Sequence, residues 1–498
     1  MRLDDLLRQT TVQSVRGTRE VELSGVCADS RRVKRGALFV ALSGSRLDGG
    51  DFIREAVLAG AVAVVTERAD GLPQERDGVT VVVVDDARRA LAELACAYYE
   101  RPSEKLRVAG VTGTNGKTTT TFLIQHICDV ALQRCGLIGT VRYQVGDRIL
   151  PAARTTPDAL ELQELLAQMR DAGCKTVAME VSSHAVKQER VRGVEFDAIV
   201  FTNLTQDHLD YHGTMESYFE SKAGLVLGIG SQRFKAGVAV INVDDRYGTL
   251  LHDRVLQAGM QPVGYGLGQR AEFRASNCRT DAQGSSFQLD AVGRSWLVRI
   301  PLSGMFNISN ALGAIAAAHA LGVDVRTAVL ALASAPPVPG RLEPVPAKRS
   351  FRVFVDYAHT HDALRTVLRT LRDLQPRHVL TVFGCGGDRD KGKRPLMGAV
   401  AEELSDWTIV TSDNPRSESP DEIAADITRG MSRGRHEVLL DRRAAIQRAI
   451  EMAGPRDIVL IAGKGHETTQ ETAGKTEPFD DVAIARSLLE NLGSDFGR

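Results

Sequence analysis

Arg107-Val108-Ala109-Gly110-Val111 runs through Thr112 into Gly113-Thr114-Asn115-Gly116-Lys117-Thr118-Thr119, and the reading of this stretch decides the fold. Its first part is an apolar run of the kind that forms a strand buried on both faces. The residues from Thr119 on, TTTFLIQHICDVAL, have helical character. A strand, a glycine turn and a helix N-terminus in that order make a phosphate site. The glycines let successive N–H groups point inward, and the helix dipole favours an anion. Lys117, expected to stand exposed at the turn, adds a point charge at the β/γ-phosphates, and Thr118 offers a hydroxyl to Mg²⁺. The spacing departs from the full G-x-x-x-x-G-K-[ST] pattern, because position 111 is Val.

Further strands surround this one. KTVAMEVS (175–182) and FDAIVFTNL (196–204) are nearly continuous apolar runs between helical segments, which predicts a mainly parallel sheet covered by helices. Glu180 falls at the C-terminal end of the first run, where ligands of open α/β sheets gather, and is a candidate Mg²⁺ ligand. The second run ends in a dense polar set, Thr202-Asn203-Leu204-Thr205-Gln206-Asp207-His208-Leu209-Asp210-Tyr211-His212, which brings His208 to a neighbouring strand end.

N-terminal to this region, GALFVAL (36–42), AVAVVTE (61–67) and VTVVVVD (79–85) read as strands of a small α/β unit, closed by the helical ARRALAELACAYYE. Arg101-Pro102-Ser103 breaks that helix, and the Pro/Gly-rich PPVPGRLE (336–343) marks a second boundary. Beyond it FRVFVDYA, HVLTVFGC, WTIVTSD and DIVLIAG alternate with helices in a doubly wound pattern. The expectation is an α/β protein of three domains, 1–102, 103–336 and 337–498, the central one carrying the phosphate loop.

Bulk composition excludes several classes. A hydrophobic fraction of 43% with 25% charged residues is that of a globular protein. Lys+Arg 62 against Asp+Glu 63 leaves a net charge of -1, without the basic stripe that nucleic acid requires. The acidic start MRLDDLLRQT lacks the form of a signal peptide, and no apolar run has the length of a membrane span, so the expected place is the cytoplasm. The seven cysteines show no metal-ligand spacing and read as reduced core thiols.

G-T-N-G-K-T-T at 113–119, E-V-S-S-H from Glu180 and T-N-L-T-Q-D-H-L-D-Y-H-G from Thr202 occur in the order seen in the Mur ligase family, which the chain resembles over nearly its whole length. Gly304 to Asn310 is similar to that family's adenine-proximal helix start, Gly340-Arg341 to its linker arginine, and Asp356-Tyr357-Ala358-His359 to its ribose-side loop. His361 departs from the pattern, since Pro is expected there.

The resemblance implies an amide-forming ligase. The γ-phosphoryl group of ATP passes to a substrate carboxylate, an amine attacks the acyl phosphate, and phosphate leaves; Lys117, Arg341 and Mg²⁺ neutralise the charge. It implies two Mg²⁺ ions held by Thr118, Glu180, His208 and a carbamylated Lys222, with ATP also near Asn310, Arg341 and Asp356. For a UDP-N-acetylmuramoyl-L-alanyl-D-glutamate substrate it implies Ser30, Ser45, Thr155, Thr156, Ser182, Gln188 and Arg190. Thr155-Thr156-Pro157 is read as the opening of the helix DALELQELLAQM, so that hydroxyls and free N–H groups converge there.

For the amine substrate it implies Arg389, then Asp413-Asn414-Pro415-Arg416, then Gly463 and Glu467. D-N-P-R resembles the diaminopimelate-adding members, with Arg389 and Arg416 clamping carboxylates and Glu467 with the Gly463 backbone receiving an ammonium group. A lysine-adding ligase, a folylpolyglutamate-type ligase and a non-catalytic P-loop switch stay open as alternatives. No guanine-reading N-K-x-D motif is present. The active unit is expected to be a monomer.

Overall fold

The computed structural model of the chain describes residues 1–44, 48–68 and 78–491. β1 (Ser14–Arg16), β2 (Gly25–Cys27), β3 (Ala37–Val40), β4 (Ala63–Thr66) and β5 (Thr80–Val83) form the first sheet in the order β1-β5-β4-β3-β2. β3, β4 and β5 are buried throughout, as a parallel core requires, and only β1 runs antiparallel. The helix Ala87–Tyr98 is capped by Asp86, whose carboxylate accepts from the Arg89 N–H at 2.9 Å. The chain then turns at Arg101, in the left-handed region at φ 48°, and Pro102 opens the next short helix.

The central sheet comprises β6 (Arg107–Thr112), β7 (Cys135–Ile138), β8 (Arg142–Val145), β9 (Arg148–Pro151), β10 (Thr176–Glu180), β11 (Ala198–Phe201), β12 (Val238–Asn242), β13 (Val263–Gly266), β14 (Phe273–Asp281), β15 (Gly284–Ala291) and β16 (Arg294–Ile300). Its order is β16-β15-β14-β13-β12-β11-β6-β10-β7-β8-β9. From β7 across to β14 it is parallel, as expected. Antiparallel ribbons β8-β9 and β15-β16 extend both edges. β8 and β15 alternate buried with part-buried residues and β9 and β16 are largely exposed, none of them a continuous apolar run, so a search for fully buried strands passes over them. Register sets the site: Glu180 pairs with Val111 and Phe201 with Thr112, so the phosphate loop, Glu180 and the 202–208 segment leave one sheet edge side by side.

The third sheet contains β17 (Glu343–Val345), β18 (Arg352–Asp356), β19 (Val379–Phe383), β20 (Trp407–Val410), β21 (His436–Val438) and β22 (Ile458–Ala462) in the order β17-β18-β22-β19-β20-β21, parallel except for β17. A separate hairpin, β23 (Thr469–Thr472) with β24 (Lys475–Pro478), follows it. His361, which stands where Pro was expected, occupies the first position of the helix His361–Asp373. Its N–H needs no partner within the helix there, and Thr360 supplies the cap by accepting from Ala363 N at 3.2 Å. Among the described residues no helix is long and apolar enough to cross a membrane.

Candidate active site

The phosphate loop is held open by its neighbours. Gly113 and Gly116 have φ of 143° and 86°, and a Cβ on Gly116 would lie 2.4 Å from Asn310 Oδ1. Asn310 thus sits beneath the loop, on the helix Met305–Ala320, donating to Asn307 Oδ1 at 3.1 Å. From the other side Asn203 accepts the N–H groups of Thr114 (2.9 Å, on its carbonyl) and Asn115 (3.0 Å, on Oδ1), while Thr202 Oγ1 donates to Asn115 O at 2.6 Å. Thr118 and Thr119 are buried in the first turn of the following helix. Lys117 is half-buried and not exposed as its turn position suggested. Its Nζ donates to Gly113 O at 3.1 Å and Thr114 O at 2.8 Å. Burial pushes this ammonium below its usual range, partly offset by Glu180 and Asp207.

Glu180, 1% exposed, organises the loop's far side. Its Oε2 accepts from Thr118 Oγ1 at 3.1 Å and Thr140 Oγ1 at 3.0 Å, and its Oε1 from Thr140 N at 2.8 Å. Arg341, from the loop before β17, donates to Thr118 Oγ1 at 3.1 Å and lies 4.6 Å over the Tyr357 ring. A cavity of about 270 Å³ opens here, lined by Lys117, Thr118, Glu180, His208, Arg341 and Asp356 among others. It therefore joins the central sheet edge to the third sheet. Asp356 uses both carboxylate oxygens on backbone, accepting from Leu342 N at 2.6 Å and Ala358 N at 2.8 Å; burial raises its pKa to about 6. That makes it the anchor of the Gly340–Leu342 turn as well as part of the cavity wall.

Lys222 is 1% exposed. Its Nζ donates to Gly113 O at 2.8 Å and lies 4.7 Å over the Tyr218 ring; among the described residues no carboxylate pairs with it. Burial, reinforced by the charge of Lys117, holds its pKa well below the usual value. His208, in the left-handed region at φ 54°, stands 3.5 Å from the Asp207 carboxylate and edge-on to His184 at 4.8 Å.

A larger cavity of about 1040 Å³ lies between the first sheet and the helix Ala159–Asp171, walled by Ala28, Asp29, Arg88, Arg154, Gln188 and Arg190 among others. Arg190 donates to Gln188 Oε1 at 2.6 Å and Thr156 O at 2.9 Å. Ser30 is buried in the short helix that Asp29 caps, just behind this wall; Ser45 lies outside the described residues. The expectation that Thr155 and Thr156 open the helix is corrected: Asp158 is the cap, accepting from Glu161 N at 3.0 Å. Thr156 Oγ1 instead donates to Glu180 O at 2.9 Å and accepts from Ser182 N at 3.1 Å, and Thr155 Oγ1 meets Thr140 Oγ1 at 3.0 Å. These residues tie the two cavities together because β10 ends between them. Ser182 caps the next helix, accepting from Ala185 N at 3.2 Å.

Loops from β19, β20 and β22 meet at the third sheet's C-terminal edge. Asp413 and Asn414 are buried, and Asn414 Nδ2 donates to Glu467 Oε2 at 2.8 Å. Pro415 leads into Arg416 at φ 54°, whose guanidinium donates to Gly387 O at 2.7 Å and lies 3.6 Å from the Glu471 carboxylate. Gly463 is required, since its φ is 112° and a Cβ would lie 2.5 Å from Asp413 Oδ2. Arg389 is exposed on the preceding loop and has no hydrogen bond among the described residues, so it stands at the rim while Arg416 stands inside.

Sequence reasoning left out Thr140 and Lys464. Thr140 follows the buried strand CGLI, so treating that run as one more parallel strand would have found it. Lys464 carried no signal beyond its glycine-rich surroundings. Nor did it find the fully buried Arg442–Asp481 pair at 2.7 Å, whose arginine also donates to Ser412 O and Ala462 O and so fixes the ends of β20 and β22.

Comparison with known proteins adds three family matches: Mur ligase family, catalytic domain, over residues 22–99; Mur ligase middle domain over 111–318; and Mur ligase, glutamate ligase domain, over 340–465. The chain is 48% identical over 469 residues to a UDP-N-acetylmuramoyl-L-alanyl-D-glutamate--2,6-diaminopimelate ligase of Geobacillus kaustophilus, covering 93% of this chain and 94% of that protein. A solved structure of a ligase with that same name superposes with a TM-score of 0.72 at 35% identity over 99% of both chains. The Thermotoga maritima MurF ligase in complex with ADP has the same fold, with a TM-score of 0.63 at 19% identity, over 96% of this chain and 99% of that one.

Proposed function

The chain belongs to the Mur ligase family, and we propose that it joins meso-diaminopimelate to UDP-N-acetylmuramoyl-L-alanyl-D-glutamate at the expense of ATP, a step of peptidoglycan synthesis. The observation that carries this reading is the crevice in which the phosphate loop, buried Glu180 and Arg341 of the third sheet's approach meet, Thr118 being bonded to both of the latter. Such an arrangement suits phosphoryl transfer to a carboxylate, where positioning and charge neutralisation do most of the work.

Lys117 and the loop N–H groups would hold the β/γ-phosphates, Lys117 exchanging its carbonyl partners for phosphate oxygens. The dipeptide carboxylate would reach the crevice past Thr155 and Ser182, which Thr156 holds from behind, attack the γ-phosphorus and release ADP. The amine of diaminopimelate then attacks the acyl phosphate, forming the C–N bond as phosphate leaves and the amine proton passes to solvent. Arg341 remains beside the negative charge throughout.

The donors at Thr118, Glu180 and His208 suit Mg²⁺, a hard ion that keeps several waters and takes the rest of its ligands from phosphates. When bound there it neutralises the phosphate charge. Lys222 fits a further role. An ε-amine whose pKa burial holds well below its usual value adds, in its unprotonated form, to CO₂, releasing a proton and leaving a carbamate anion beside the loop.

Arg416 and Asn414 support diaminopimelate over lysine, because a guanidinium among the third-sheet loops offers a distal carboxylate a partner that the ammonium of lysine cannot use. The enzyme would work in the cytoplasm, where ATP is available, and as a monomer. An amino-acid panel incubated with UDP-muramoyl dipeptide and ATP, scored by product mass, tests the assignment. Ligation of lysine, or of glutamate onto a folate, with none of diaminopimelate would overturn it.

A further inference from the structure

Behind the amino-acid loops lies a lysine that the chemistry above does not use. Lys464 is 0% exposed, yet its Nζ is in contact with Asn414 Oδ1 at 3.1 Å, Glu467 Oε2 at 3.4 Å and the carbonyl of Thr469 at 2.6 Å. Its partners connect the loop after β20, the loop after β22 and the first strand of the hairpin.

The consequence concerns the amide of Asn414. A lysine ammonium can only donate, and the second group at Asn414 Oδ1, the Glu471 N–H at 3.0 Å, can only donate as well. Both therefore force Oδ1 inward, and Nδ2 must point to Glu467, to which it donates at 2.8 Å. Glu467 Oε2 then carries two donors, Asn414 Nδ2 and Lys464 Nζ, which leaves Oε1 as the oxygen without a hydrogen bond among the described residues. The hairpin is held by the same groups. Gln470 Nε2 donates to Asp413 O at 2.8 Å, Arg416 N to Glu471 O at 3.1 Å and Ala473 N to Arg416 O at 2.7 Å.

We infer that Lys464 is the positioning residue of the amino-acid site: it fixes the side-chain orientation of Asn414 and one oxygen of Glu467, so that a single carboxylate oxygen and the Arg416 guanidinium face a zwitterionic amino-acid terminus. It touches no substrate atom. The inference rests on the third-sheet loops being the amino-acid site. Lys464 acts there as a buried cation of fixed geometry, which Met matches in size but not in charge or hydrogen bonding.

The test is Lys464→Met, with KM measured separately for the amino acid, ATP and UDP-muramoyl dipeptide. The expected result is a rise in the amino-acid KM of roughly 10- to 100-fold, the usual range for losing hydrogen bonds to a charged group. The other two KM values should stay within about threefold of wild type, well below a change of one hydrogen bond to a charged group. In an Asn414→Ala background the same substitution should cost less than it does in the wild type, because one of the two groups it orients has gone.

An unchanged amino-acid KM, or fully additive losses in the double variant, overturns the inference. Equal losses for all three substrates overturn it too, because they mark damage to the fold. Should Lys464→Met not fold, Lys464→Arg decides: a planar guanidinium cannot reproduce the three contacts, so the amino-acid KM must rise, and an unchanged value refutes the role. All measurements use whichever amino acid the wild type ligates. A wild type that prefers lysine would thus defeat the diaminopimelate assignment while leaving this inference to be judged by its own numbers.

Discussion

Replacing Arg416 by Ala should separate recognition of the amino acid from the rest of catalysis. The backbone does not confound the change: Arg416 sits at φ 54°, and Ala meets the same left-handed cost as Arg. What disappears is a guanidinium that donates to Gly387 O at 2.7 Å and lies 3.6 Å from Glu471, with a quarter of its side chain exposed. Truncating one partner of a desolvated charged pair costs roughly 2 to 5 kcal/mol. Partial exposure and the share of the charge taken by Glu471 place this case at the lower end, about 2 to 3 kcal/mol, or a 30- to 150-fold fall in kcat/KM for diaminopimelate. The assay is initial-rate ADP release with each substrate varied in turn. KM for ATP and for UDP-muramoyl dipeptide should hold, and lysine should remain a poor substrate, because removing the clamp creates no ammonium pocket. Retention of full selectivity by Arg416→Ala, or use of lysine by the wild type, would refute this account of specificity.

Lys117→Ala should fold, shown by an unchanged circular dichroism spectrum, yet turn over at least about 1000-fold more slowly, as losing charge stabilisation of phosphoryl transfer implies; full activity would sink the phosphate-site assignment. In ¹³C-bicarbonate with nucleotide and Mg²⁺, the wild type should give a carbamate carbon resonance that Lys222→Ala lacks, and acetate should restore part of the variant's activity; a wild type without the resonance would count against the carbamate. Asp356 gives a pH signature. Burial raises its pKa from 3.8 to about 6, so the folded state binds the proton more tightly, and the stability it contributes is fully present below pH 3.8 and lost as pH rises through 6. The loss amounts to about 3 kcal/mol at 1.36 kcal/mol per unit. Asp356→Asn should therefore flatten the fall in thermal stability between roughly pH 4 and 6, and parallel melting curves of the two proteins across that window would disprove it.

The sequence by itself determined the sheet cores and the phosphate loop, because both depend on local chemistry. β6, β10, β11, β19 and β22 are runs of apolar residues that can only be buried on both faces, and Gly113 to Thr119 is a strand, turn and helix start that needs no distant partner to be recognised. Glu180 was legible for the same reason, standing at the end of such a run. The ribbons β8-β9 and β15-β16 were not, since strands that are only partly buried give a weak pattern without the edge they extend.

Only the tertiary structure decided what each side chain does once strands far apart in the chain become neighbours. Thr156 became a partner of Glu180 instead of a helix cap because β10 ends beside it. Asp356 spent both oxygens on the Gly340–Leu342 turn and Ala358. Lys222 was shut off from water when its helix packed against Gly113, more than 100 residues away in sequence, and among the described residues it pairs with no carboxylate. Lys464 acquired its role from Asn414 and the hairpin together. Burial, register and the direction of a hydrogen bond are properties of the packed chain, and no local pattern of residue types encodes them.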